Sequence, residues 1–99
     1  MNGIESPLRE KKHYYTYMVR CCDGSLYTGF TVDIEKRVQA HNGGRGARYT
    51  RSRRPVALAW QKEWPTEHEA RSMEVKIKHM KKEDKEALAA SYKEAACHG

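Results

Sequence analysis

Residues 15–31, YTYMVRCCDGSLYTGFT, constrain the chain more than any other stretch. Aromatic and β-branched residues crowd 14–20, and that composition predicts a strand. Asp23-Gly24 is a turn signal, and "LYTGF" (26–30) is the return strand. Side chains on a hairpin are sorted by parity. Tyr15, Tyr17 and Val19 share one face, and Tyr27 and Gly29 share a face of the return strand. A two-residue loop would pair Arg20 with Tyr27 and put Tyr17 and Tyr27 on opposite faces. A three- or five-residue loop pairs Val19 with Tyr27 and Tyr17 with Gly29, so that both phenols face one place. The odd-length loop is the expected one.

Helix signals follow. In "TVDIEKRVQAHNGG", Thr31 or Asp33 can cap a helix whose apolar stripe is Ile34 and Val38, and Asn42-Gly43-Gly44 ends it. A glycine- and arginine-rich loop spans 43–55, and "VALAWQKEW" (56–64) reads as a third strand. "TEHE" (66–69) is a capping box opening a helix to about Met80, with Ala70, Met73, Ile77 and Met80 on one side. A last helix over 81–95 turns Leu88, Ala89 and Tyr92 inward. The order ββαβαα predicts an α+β fold, a small three-stranded mixed sheet packed with helices. Residues 1–12 read as a flexible basic arm, 13–95 as one domain and 96–99 as a frayed end. No apolar run is long enough to span a membrane, and the first residues lack the apolar core of a secretory signal. Three cysteines in no zinc-site spacing suggest a reduced, cytoplasmic setting.

Polar residues interrupt the apolar stripes. Glu74 lies four after Ala70 and three before Ile77. A carboxylate at such a border calls for a partner or a cation, and Lys78, four residues on, can supply a salt bridge. Arg37 is three after Ile34 and His41 three after Val38, four apart and on one side. A histidine there is by itself most simply a packed, hydrogen-bonded residue. Arg37, His41, Glu74 and the tyrosines together suggest a site.

With 19 Lys and Arg against 13 Asp and Glu, the chain carries a formal charge of +6. Between Glu35 and Glu63 no acidic residue occurs, while Lys36, Arg37, Arg45, Arg48, Arg51, Arg53, Arg54 and Lys62 do. Arginine suits phosphate because its planar fork donates two parallel hydrogen bonds, and the glycines admit a close backbone approach. Lys36, Arg45, Arg48, Arg51, Arg53 and Arg54 are therefore candidates for holding a nucleic-acid backbone.

These residues resemble the GIY-YIG nuclease domain, above all its small single-domain bacterial members and the catalytic domain of structure-specific junction resolvases. The two tripeptides that name the family correspond to "YTY" (15–17) and "YTG" (27–29), and "YTGFT…RV..HN" is similar as well. The likeness covers roughly residues 14–80. Two departures stand out: Tyr15 occupies a position where glycine is common, and Phe30 one where some relatives carry lysine.

The resemblance implies an endonuclease that hydrolyses DNA phosphodiesters with one Mg²⁺ or Mn²⁺. Glu74 would hold the cation, Arg37 would clamp the scissile phosphate and Tyr17 would bond the phosphate or the attacking water. Tyr27 or His41 would take the water's proton. A free phenol titrates near pH 10 and an imidazole near neutrality, which favours His41, whereas the family favours the phenol. The alternative is a nucleic-acid-binding module of the same fold with little or no activity, and a basic protein-interaction domain is a third reading. The intact set Tyr17, Tyr27, Arg37, His41 and Glu74 argues for the enzyme, since a binder has no use for a carboxylate beside phosphate. DNA against RNA, the preferred nucleic-acid structure and the oligomeric state stay open at this level, as does a protein partner supplying specificity.

Overall fold

The structure is a computed structural model that describes residues 13–98, with side chains through residue 93. The arm expected over 1–12 and the final residue lie outside the described residues. Strand β1 (Tyr14–Arg20) runs through the centre, with β2 (Leu26–Thr31) on one side and β3 (Ala57–Trp64) on the other. Helix α1 (Ile34–Asn42) follows β2, a one-turn helix α2 (Arg48–Arg51) follows α1, and α3 (Glu67–Lys78) and α4 (Lys82–His98) follow β3. The α+β class and the order of the main elements match the sequence reading. The one-turn α2 is an addition, in what reads as loop.

The sheet is antiparallel throughout, where the sequence suggests a mixed one. The cause lies at the end of α1. The Asn42 side-chain amide donates to the Val56 carbonyl (3.0 Å), and its oxygen accepts from the Val56 N–H (2.6 Å). Those bonds fix the start of β3 beside the end of β1, where Ala57 faces Arg20. Strand β3 must therefore run back along β1 in the opposite sense.

Two cores form on the two faces of this sheet. On one, Tyr17, Val19, Cys21 and Val56 pack with Tyr27, Ile34, Val38 and Leu58, which brings in α1. On the other, Met18, Trp60, Ile77 and Ala89 pack with Met73, Met80, Leu88 and Tyr92 from α3 and α4. A register shift between Met18 and Val19 lets Leu58 join the first core while Trp60 joins the second. Thr16 is wholly buried, and its hydroxyl donates to the Ala70 carbonyl (2.7 Å) while accepting from the Trp64 indole (3.0 Å). Both hydrogen-bonding capacities of that hydroxyl are met, which offsets the cost of burying it and fastens α3 to the central strand. Ile77 is fully buried, and truncating it to alanine would cost about 2–5 kcal/mol.

The helix caps follow the sequence signals. Asp33 accepts from the Lys36 N–H (3.0 Å) and Thr66 from the Glu69 N–H (3.2 Å). No helix among the described residues is long and apolar enough to cross a membrane.

Candidate active site

The hairpin loop has five residues, 21–25, closed by the pair Arg20–Leu26, with Val19–Tyr27 the next rung. Asp23 organises it, accepting from the Ser25 N–H (3.0 Å) and hydroxyl (2.6 Å). Gly24 sits at φ +89°, a left-handed conformation that favours glycine. The odd length is the one expected, and Tyr17 falls opposite Gly29. The Tyr17 ring crosses that glycine so closely that a β-carbon there would meet the phenol oxygen at 2.6 Å. The glycine of the second tripeptide is thus the floor on which the tyrosine of the first one lies.

Helix α1 brings Arg37 and His41 to the same place. The Tyr17 Oη is 2.7 Å from His41 Nε2 and accepts from Arg37 Nε at 3.3 Å. The other imidazole nitrogen, Nδ1, lies 2.8 Å from the Thr50 hydroxyl on α2. Gly46 passes so near the imidazole that any side chain there would overlap it. The Tyr27 ring meets His41 edge-on, with centroids 5.4 Å apart at 67°. Tyr49 stacks on Tyr27 at 5.8 Å and 22°, and the Arg53 guanidinium covers Tyr49 at 3.9 Å. Arg53 is held there by Asp23, 3.0 Å away.

Access divides the cluster. Tyr17 and His41 are wholly buried, with their polar atoms turned to each other and to Arg37 and Thr50. Tyr27 and Arg37 are partly exposed. Burial pushes the Tyr17 phenol above its usual range, partly countered by the hydrogen bond and charge of Arg37. Burial, and then the Arg37 charge, push His41 below the usual histidine value, so its imidazole is neutral at pH 7.

Glu74 lies on α3. Its negative charge is the smallest of the influences on the Tyr17 pKa, and it raises it. The carboxylate is bonded to Lys78 at 3.0 Å, the salt bridge its spacing allows, and its side chain is 19% exposed. No group of three or more His, Cys, Asp or Glu that could cage a metal occurs among the described residues. A single, partly open carboxylate does fit a hard divalent cation that keeps most of its waters and takes phosphate oxygens as further ligands. Lys78 would then have to release it.

The basic block sorts into two kinds. Arg53 is committed to Asp23 and to the Tyr49 ring and carbonyl. Arg54 donates to the carbonyls of Arg51 (2.8 Å) and Asn42 (3.3 Å), so it braces the loop. Lys36, Arg45, Arg48 and Arg51 are exposed and have no acidic partner among the described residues. Thr50, and the stacking of Tyr49 on Tyr27, escape the sequence reading: a single helical turn has no periodicity, and "RYTR" looks like more of a basic loop.

Residues 13–87 match the family model of the GIY-YIG catalytic domain, and the chain belongs to that nuclease family. A UPF0213 protein of Staphylococcus saprophyticus is 50% identical over 72 residues, covering 73% of this chain and 88% of the relative. One from Haloquadratum walsbyi is 48% identical over 77 residues, 78% of this chain and 86% of its own. The solution NMR structure of a UPF0213 protein from Bacillus halodurans superposes with a TM-score of 0.52 at 40% identity, covering 79% of this chain and 83% of that one. That of an E. faecalis protein gives 0.57 at 38%, over 83% and 88% of the two chains.

Proposed function

We propose that this GIY-YIG chain is a divalent-metal-dependent endonuclease that hydrolyses phosphodiester bonds in DNA. One observation carries the reading. Register, a glycine floor and one helix converge Tyr17, Tyr27, Arg37 and His41 on one face of the sheet, and the Glu74 charge is felt at the Tyr17 phenol. A domain that only bound nucleic acid would gain nothing from a carboxylate there.

Lys36, Arg45, Arg48 and Arg51 hold the DNA backbone. Arg37, whose Nε is tied to Tyr17, keeps its two terminal nitrogens for the scissile phosphate and for the charge that grows on it in the transition state. Tyr27, the phenol of the pair with access to solvent, takes the proton of the attacking water as the phenolate, its own hydrogen having passed to solvent. Tyr17 and His41 act from below, as a buried pair that orients Arg37 and supports the Tyr27 ring. Glu74 holds the Mg²⁺ or Mn²⁺, which supplies charge compensation at the phosphate and the leaving oxygen. Unbridged thiols at Cys21 and Cys22 suit a reducing, cytoplasmic setting, where nucleic acid is at hand.

The test is cleavage of branched, nicked, single-stranded and duplex DNA with Mg²⁺, Mn²⁺ or a chelator, with binding measured on the same substrates. Cutting of at least one substrate that needs the cation is expected. Salt-sensitive binding with no cutting of any substrate would overturn the reading in favour of a binding module.

A further inference from the structure

Helix α2 touches the site through two consecutive side chains, Tyr49 on Tyr27 and Thr50 on His41. Thr50 is wholly buried although it sits between exposed Tyr49 and Arg51. Its hydroxyl is 3.1 Å from the Ala47 carbonyl, accepts from the Ala47 N–H at 3.3 Å and meets His41 Nδ1 at 2.8 Å.

One arrangement of protons satisfies every group in this chain of contacts. Arg37 only donates, so the hydrogen of the buried Tyr17 hydroxyl has His41 Nε2 as its acceptor, and the Thr50 hydrogen is left for the Ala47 carbonyl, which also takes the Arg51 N–H at 3.1 Å. The Thr50 oxygen must then accept from His41, which puts the imidazole hydrogen on Nδ1. In a neutral ring Nε2 is then a lone pair, and Tyr17 donates into it across 2.7 Å. With its hydrogen used, the Tyr17 oxygen turns a lone pair to Arg37 Nε. The opposite tautomer breaks this order at Tyr17. Thr50 would turn its hydrogen from the Ala47 carbonyl, which keeps the Arg51 N–H, to Nδ1, and the Tyr17 hydrogen would lose its buried acceptor.

We infer that Thr50 is a positioning residue: it holds His41 as the Nδ1–H tautomer, and through Tyr17 this aims the Arg37 guanidinium. The consequence for cleavage rests on the nuclease reading above, whereas the tautomer does not. The same short helix carries Arg48 and Arg51, so the loop expected to meet the DNA backbone is also the one that sets the phosphate clamp.

The test is a two-bond ¹H–¹⁵N correlation spectrum of the histidine side chains, on the full chain above pH 7. The parent and Thr50→Ser are expected to show His41 protonated at Nδ1 and bare at Nε2. Thr50→Val, equal in shape but without the hydroxyl, is expected to show a mixture or the other tautomer. An Nε2–H form in the parent, or an unchanged His41 in Thr50→Val, would overturn the inference. Should the valine variant fail to fold, the parent and serine spectra decide it. On any DNA that the parent cuts, Thr50→Val should lose about 10–100-fold in kcat/KM, with Thr50→Ser close to the parent. A parent that cuts nothing sinks the nuclease reading and leaves the spectra to decide the tautomer.

Discussion

Gly29 lies directly opposite Tyr17 across the first two strands, and the phenol occupies the space that any side chain at Gly29 would need. A β-carbon there would come within 2.6 Å of the Tyr17 oxygen, a contact that real structures avoid. The ring is buried under α1 and has little freedom to withdraw. Gly29→Ala is therefore expected to cost about 1–3 kcal/mol by the usual penalty of overpacking. Urea unfolding measures the loss, and cleavage should fall with it as Arg37 and His41 lose their partner. An alanine variant as stable and active as the parent would show that the ring can move aside.

Tyr17→Phe keeps the ring and removes only the oxygen. His41 Nε2 then stays buried with no donor, at a cost of about 1–3 kcal/mol, while Arg37 can turn part of its guanidinium to water. The variant should fold and bind DNA much as the parent does, yet cut more slowly. Equal turnover by Tyr17→Phe would remove Tyr17 from the account.

Much of this geometry is legible in the sequence, because sheet parity is a strong rule. Putting Tyr17 and Tyr27 on one side already demands an odd loop, and the structure has one of five residues. Arg37 and His41 share a helix face through their spacing of four, and Glu74 finds Lys78 for the same reason. Burial is harder to read. Nothing in "RYTR" announces that Thr50 turns inward, or that the hydroxyl beneath His41 leaves both ring nitrogens engaged. The direction of β3 depends on the grip of Asn42 on Val56, a long-range contact made by a residue whose local signal is only that of a helix end.

The buried imidazole makes stability depend on pH. His41 in the folded chain binds its proton less readily than the ordinary histidine value of 6.5, because of burial and the nearby Arg37 charge. Below about that value the unfolded chain takes up the proton first, and folding becomes less favourable as the pH falls through the folded value. The contribution of His41 is complete above this window. Urea midpoints from pH 8 down to 5 should drop more for the parent than for His41→Gln, which has no such group. Parallel curves would show that His41 does not carry the effect.

Arg48 and Arg51 are exposed and have no acidic partner among the described residues. Replacing either with alanine should weaken DNA binding by a similar factor on every sequence and flatten the salt dependence by about one phosphate's worth. Arg54→Ala, removing a side chain that braces the loop carbonyls, should act more on stability. Titrations at several salt concentrations separate the two effects. An unchanged slope for both Arg48→Ala and Arg51→Ala would move the backbone contact off α2.

The most direct test of the central claim compares the parent with Arg37→Ala and Glu74→Ala in single-turnover cleavage, on whichever DNA the parent cuts with Mg²⁺ or Mn²⁺. Removing one charge-stabilising group from an active site costs on the order of 10²–10³ in rate. Each variant should lose at least about that much, while its affinity for the same DNA changes only a few-fold. Cleavage at the parental rate by either one would contradict the assignment of this cluster as the active site.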